Sequence, residues 1–526
     1  MGLAIERERF DQADFFDFQR RLDESLLALE RLLRRPGFGT GPPTVGAELE
    51  LFLIDRGGRA LPINQTVRAE AADPRVVLEV DRFNLELNLA PTPLAGRPFT
   101  AFAAELDQTL GIVRRAAACH GGRIVMVGIL PTLRAEELRL AAISDAARYR
   151  ALNSGICRLR QEPFLIRIAG ADPLELATDD IALEGANTSF QVHLKVDPDR
   201  FAACFNAAQL AIGPVLAVAG NSPTFLGHRL WEETRVALFK QALDDRDAAG
   251  RTGLRACRVA FGDGWTAGAL ELLEESVRLH EPVLPVLGTE HPLEQVAAGR
   301  VPALEELRLH QGTVWRWNRA IYDPAGDGHV RIEMRALPSG PTVVDMLANA
   351  AFLLGLTLAM APGADGWVPR MAFQQAHDNF YRAASVGLGA ELAWPLGPGG
   401  RVRTLPAAEL VPLLLPVARS GLEAAGVLPE EVDELLAVIE ARAASGQTGA
   451  VWQRQTLAAL APHLGRDRAL AAMLERYLDH QLDGQPVHTW SLPAAVSGGG
   501  RPAGAVGRLA RPGRGRLLLP PREAAP

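Results

Sequence analysis

The stretch Arg331-Ile332-Glu333-Met334-Arg335 constrains this chain more than any other. Successive side chains of a β-strand point to opposite faces. Arg331, Glu333 and Arg335 therefore share one face, and Val330, Ile332, Met334 and Ala336 line the other. A solvated outer strand would satisfy that pattern. So would a strand whose carboxylate, set between two guanidinium groups, holds a metal ion beside phosphates. Three further segments repeat the design and shift the balance to the second reading.

In the first, Val45 to Asp55, Leu49, Leu51 and Leu53 alternate with Glu48, Glu50 and Phe52. Two carboxylates so close on one face repel, and on a half-buried strand they call for a cation. In the second, Leu85-Glu86-Leu87-Asn88-Leu89, Glu86 and Asn88 stand opposite three leucines, with Glu79 and Asp81 just upstream. In the third, Ser189, Gln191, His193 and Lys195 oppose Phe190, Val192, Leu194 and Val196. Four strands with apolar backs and ligand-bearing fronts predict a sheet backed by helices, with a site on its concave side. Oxygen ligands with one imidazole suit Mg²⁺ or Mn²⁺ better than Zn²⁺. A lone histidine is more often structural than a ligand; the set of four segments carries the reading.

In this order the segments resemble the glutamate–cysteine ligase and carboxylate–amine ligase branch of the glutamine synthetase-like superfamily. Gly46-Ala47-Glu48-Leu49-Glu50 matches its opening Gly-x-Glu-x-Glu strand, and Glu86 precedes a Pro-containing turn at Ala90-Pro91. His193 falls in its histidine strand, and Arg331, Glu333 and Arg335 match its Arg-x-Glu-x-Arg strand. Asn221-Ser222-Pro223 resembles a loop beside the amino-acid pocket, followed by Arg235. The segments around Asn379 to Ala383 and Gly446 to Gln455 match later motifs. The similarity covers roughly residues 40–480. Two departures concern the substrate: Gly128-Ile129-Leu130-Pro131 lacks an expected histidine, and Gln191 stands where another histidine is common.

The resemblance implies an α+β, glutamine synthetase-like catalytic domain, a curved and mainly antiparallel sheet backed by helices with a helical C-terminal region. It implies ATP and Mg²⁺ (or Mn²⁺) as cofactors, with Glu48, Glu50, Glu86, His193 and Glu333 as metal ligands. The spacing leaves the face of Glu79 open. Arg331 and Arg335 would grip the transferring phosphate, Arg335 meeting the transition-state charge. Asn221 and Arg235 would hold the amino-acid substrate. The implied reaction activates a carboxylate as an acyl-phosphate and joins it to an amine, glutamate to cysteine in glutathione-type thiol biosynthesis. A γ-glutamyl ligase for another amine, a guanidino-type kinase and a non-catalytic homologue are the alternatives. Arg382 and Arg454 read as ties between the C-terminal region and the sheet. Trp315 and Trp317 read as base-stacking or strand-packing residues, with Arg319 turned to the site.

Composition fits a soluble enzyme of small molecules. A net charge of −7 leaves no basic footprint for nucleic acid. Lysine occurs at Lys195 and Lys240 alone, so no P-loop lysine exists to hold a nucleotide. Cys119, Cys157, Cys204 and Cys257 show no Cys-x-x-Cys spacing, and the charged N-terminus lacks an apolar signal core. These features predict a cytoplasmic protein without a membrane partner; the oligomeric state is not set. The apolar run Met346 to Pro362 reads as a buried helix, since a span needs ~20 apolar residues. Helices are expected over Gln12 to Arg35, 99–118, about 200–219 and most of 405–480, with turns at Gly426, Gly446 and Pro462-His463. A strand is expected over 123–128. The expected organisation is an N-terminal helix (1–40), a catalytic domain (41–400), a helical region packed on it (401–495) and a disordered Gly/Arg/Pro-rich tail (496–526), whose arginines read as solvated.

Overall fold

The alternating segments come together as neighbours in one eight-stranded sheet in the computed structural model, which describes residues 5–253, 255–396 and 401–493. The expected disorder of 496–526 lies outside the described residues. The main path of the sheet runs Asn318–Asp323, His329–Met334, Phe190–Val196, Thr44–Ile54, Asn84–Asn88, Val76–Leu78. Every pairing along it is antiparallel. Thr92–Pro93 and Arg123–Val125 add to the two ends of Thr44–Ile54. The expected strand 123–128 is shorter, because after Val125 the chain leaves the sheet and the next backbone amide, that of Met126, bonds the side chain of Gln481.

The apolar back of the sheet is fully buried. Leu49, Leu51, Leu85, Leu87, Val192, Leu194, Ile332 and Met334 have no exposed surface. Two long apolar helices, Phe201–Ala219 and Val343–Met360, belong to the same core. They lie in the two helical spans long and apolar enough to cross a membrane, and the most apolar windows of those spans are 89% and 72% buried inside the protein. Both are core helices, as the Met346 to Pro362 run predicts. The polar front has a different fate at each end. Phe52 continues the row of Glu48 and Glu50 yet is completely buried, stacking on Phe83 at 6.1 Å. There it joins a second apolar cluster with Val125, Trp452, Leu474 and Tyr477 from the C-terminal helices. One end of the front is thus closed by greasy contacts, and the acidic end remains for chemistry.

The C-terminal region is helical over Ala407–Ala424, Pro429–Ser445, Gly449–Leu464 and Arg466–Asp483. Gly426 and Gly446 mark turns as expected, both with positive φ. The expected turn at Pro462-His463 falls instead at Gly465, also at positive φ, and Pro462 stays inside the last helical turn. Contacts cluster residues through Leu492 into one compact unit.

Candidate metal and phosphate site

Strand register decides which acids meet. Glu50 lies opposite Glu86, Glu48 opposite Gln191, and His193 between Gly46 on one side and Glu333 on the other. The five expected ligands therefore separate into two groups. Glu48, His193 and Glu333 form one; Glu50 and Glu86 form the other, completed by Glu79. Within each trio the ligand atoms lie within 4.8 Å of one another. Glu79 sits just beyond the short Val76–Leu78 strand, so period-two reasoning could not assign its face.

The two trios differ electrostatically. Burial opposes the charge on Glu48, yet the neighbouring His193 imidazole holds its carboxyl down to about 2. Burial likewise opposes Glu333, and Arg319, Arg335 and His193 outweigh it, leaving that carboxyl well below the usual range. The second trio has less compensation. Burial first, then Glu48 and Glu50, push Glu86 up to about 8. Glu79 is raised well above its ordinary value by burial, then by Glu86 and Glu50. Burial raises Glu50 as well, against the pull of Arg335. Three carboxyls that repel one another inside a protein are relieved by a divalent cation. At the first trio, His193 Nε2 is buried without a hydrogen-bond partner, 3.3 Å from a Glu48 oxygen and 4.0 Å from a Glu333 oxygen. Both donor sets suit a hard divalent ion.

Arg335 stands between the trios. Its Nη1 donates to Glu333 Oε2 at 3.1 Å and to Gln191 Oε1 at 2.5 Å, and it feels the charges of Glu333, Glu50 and Glu48. Gln191 passes the connection on, its Nε2 donating to Glu50 Oε1 at 3.0 Å. An amide can accept from arginine and donate to glutamate at once, which accounts locally for glutamine at this position. Arg331 is directed differently from expectation. Its Nε donates to His193 Nδ1 at 2.9 Å and its Nη1 pairs with Asp323, so it orients the histidine. The adjacent strand supplies Arg319, whose Nε and Nη2 bond the two oxygens of Glu333 at 2.7 and 3.0 Å.

Asn221 and Arg235 are occupied elsewhere. Asn221 has no exposed surface; its amide nitrogen donates to Ser339 O and Tyr477 Oη, and its oxygen accepts from Gln453. It fastens the C-terminal helices to the sheet rather than facing open space. Arg235 donates to Glu233 and to the Ala336 carbonyl, just beyond Arg335, and its charge also steadies Glu50 from behind. Trp315 and Trp317 are buried against Phe239, and Trp317 also against Phe380. They pack the strand and do not stack a base. Arg454 pairs with Glu232 at 2.6 Å, a tie from the C-terminal helices, whereas Arg382 reaches Asp378 on its own helix.

An acid-lined antiparallel sheet carries two carboxylate clusters that could each hold a metal ion, with an arginine between them. The chain's residues 44–468 match the model of glutamate–cysteine ligase family 2, and the protein belongs to that family. It is accordingly an ATP-dependent carboxylate–amine ligase. Among solved structures, a glutamate–cysteine ligase from Francisella tularensis in complex with AMP is similar at a TM-score of 0.53 and 11% identity, over 87% of this chain and 91% of that one. A bifunctional glutathione synthetase from Pasteurella multocida matches at a TM-score of 0.45 and 14% identity, over 88% of this chain and 55% of that one. The first likeness is one of fold and bears out the expected α+β, glutamine synthetase-like class. A search of curated proteins found no match.

Proposed function

We propose that this protein joins the γ-carboxylate of glutamate to the amine of cysteine at the expense of ATP, in the cytoplasm. The observation that carries the reading is the pair of trios flanking Arg335 on one face of the sheet. In the first step a carboxylate oxygen attacks the γ-phosphorus, the bond to the bridging oxygen breaks, and ADP leaves. In the second the amine nitrogen attacks the acyl carbon, the bond to the phosphate oxygen breaks, phosphate leaves with the electron pair, and the nitrogen gives up a proton. Phosphoryl transfer is mainly a matter of position and charge neutralisation. Mg²⁺ or Mn²⁺, held by Glu48, His193 and Glu333 and by Glu50, Glu79 and Glu86, would supply that neutralisation. Arg335 meets the equatorial oxygens of the transferring group. Arg319 keeps Glu333 ionised and aimed, and Arg331 orients the His193 ring by donating to its Nδ1.

The test is ATP-dependent phosphate release with Mg²⁺ and glutamate across a panel of amines that includes cysteine, with Glu333→Gln alongside. Release driven by cysteine, with a γ-glutamyl product and loss in the variant, is the expected result. Release driven by another amine would keep the chemistry and replace the acceptor. A phosphorylated product that accumulates without free phosphate would make the protein a kinase.

A further inference from the structure

Glu79 reaches the second trio from the turn that joins Val76–Leu78 to Asn84–Asn88, so no strand ladder fixes its direction. Burial, then Glu86 and Glu50, oppose a charge at this position. Like charges push a side chain on a loose connection out to water. Contacts from outside the turn must therefore hold Glu79 in the trio.

The segment from Ala142 to Tyr149 lies along the turn and bonds it residue by residue. Asp81 pairs with Ile143 in a single antiparallel bridge. The Arg82 amide donates to the Ala142 carbonyl and the Ser144 amide to the Val80 carbonyl, each at 2.7 Å. Ser144 Oγ donates to the carbonyl of Glu79 itself. Tyr149 Oη donates to the Leu78 carbonyl at 2.6 Å. Asn64 closes the arrangement, its Nδ2 donating to the Asp81 carbonyl at 3.1 Å and to Ser144 Oγ at 2.8 Å. The carbonyls of Leu78, Glu79, Val80 and Asp81 thus each accept a bond from outside the turn. Asn64 and Ser144 are buried, so no bulk water competes for these bonds. Burial, then the charge of Glu79, raises the Tyr149 hydroxyl well above its ordinary value, which puts this ring beside the trio as well.

Short hairpin connections close on their own turn geometry, so joining the two strands does not call for this fastening. Aiming a buried carboxylate at two others does. We propose that Ser144 and Tyr149 are positioning residues for Glu79: they fix the backbone of the turn so that its carboxylate already meets Glu50 and Glu86. The proposal rests on the metal assignment within the ligase reading and deepens it. Where the turn is loosened, only the fraction of molecules with Glu79 in place is ready to bind, and the apparent affinity falls by that fraction.

Mn²⁺ titrations of the full chain, followed by electron paramagnetic resonance, test this without turnover. Two backgrounds separate the sites: Glu333→Gln leaves the second trio intact, and Glu86→Gln leaves the first. Tyr149→Phe and Ser144→Ala, each checked for folding by thermal denaturation, are added to both. In Glu333→Gln each should weaken Mn²⁺ about tenfold, the lower end of the range for outer-shell partners of a metal ligand. In Glu86→Gln neither should change the affinity. Tyr149→Phe removes the hydroxyl and keeps the ring, so it decides the matter alone where Ser144→Ala does not fold. Undiminished affinity in Glu333→Gln overturns the proposal. So does equal weakening in both backgrounds, which would make the segment a general support of the fold. A Glu333→Gln protein that binds no ion also overturns it, by removing the second trio as a metal site. Failure of the ligase reading is seen separately, as absence of amine-stimulated phosphate release in the unaltered protein.

Discussion

Arg319 faces Glu333 across two neighbouring strands and grips its carboxylate with two nitrogens, Nε at 2.7 Å and Nη2 at 3.0 Å. Both side chains are largely buried, at 12% and 4% exposure. Planar two-point pairing is a property of arginine that lysine cannot copy. A buried pair of this kind adds little net stability, so its value lies in holding the carboxylate charged and oriented.

Removing that grip should therefore be costly in two ways. Arg319→Met is expected to destabilise the metal-free protein by roughly 3–5 kcal/mol, the range for stripping one partner from a buried ion pair. Added Mn²⁺ should recover part of the loss, since a cation again stands beside Glu333. Thermal denaturation with and without Mn²⁺ reads both effects. An Arg319→Met protein as stable as the parent in the absence of metal would contradict the role given to the pair.

The division of the acids into two trios makes a counting prediction. Two Mn²⁺ ions should bind the unaltered chain, and Glu86→Gln and Glu333→Gln should each remove a different one. Equilibrium titration followed by electron paramagnetic resonance gives the number per chain. Both variants losing the same ion would mean that the trios serve a single centre.

Acid sensitivity should come partly from two buried histidines outside the two trios. Burial pushes His310 down to about 4, where its Nε2 bonds the Ser276 carbonyl at 2.9 Å. Burial, then Arg258, pushes His280 down to about 2. In the unfolded chain both titrate near 6.5. Between 6.5 and 4 the unfolded state binds more protons than the folded one, so stability is complete above 6.5 and falls as the pH drops. His310→Gln keeps a donor for Ser276 and removes one such proton. Urea unfolding from pH 7 to pH 4.5 should show a shallower decline in that variant. An identical decline would place the acid sensitivity elsewhere.

Asn221 gives a contrast with the site residues. Its amide is engaged on both sides by Ser339, Tyr477 and Gln453 with no exposure to solvent. Asn221→Ala is expected to cost about 1–3 kcal/mol, the usual penalty for leaving buried partners unsatisfied. The loss should appear in the unfolding midpoint. A normal midpoint together with a raised KM for the acid substrate would restore the expectation that Asn221 touches substrate.

Much of this was legible before any tertiary contact was known. Alternation in four segments placed Glu48, Glu50, Glu86, His193 and Glu333 on one polar front and the leucines behind them, because the pleat of a strand leaves no other choice. The same reasoning found the apolar helix after Arg335 and the amphipathic helix near the N-terminus. It left the face of Glu79 open, because that residue lies outside a regular strand and has no period to reveal its direction. Nor does parity alone tell that Phe52, in the same row as Glu48 and Glu50, is covered by C-terminal helices some 400 residues on.

The sequence by itself determined which way each strand residue points and which chemistry the polar front can support. Tertiary structure alone decided the grouping: that Glu50 answers Glu86, that His193 lies beside Glu333, that Arg319 holds Glu333 and Arg331 holds His193. The physical reason is that side-chain direction is local, set by one residue's backbone, whereas register is a choice among many pairings. That choice is made by the burial of entire apolar faces against helices distant in the chain.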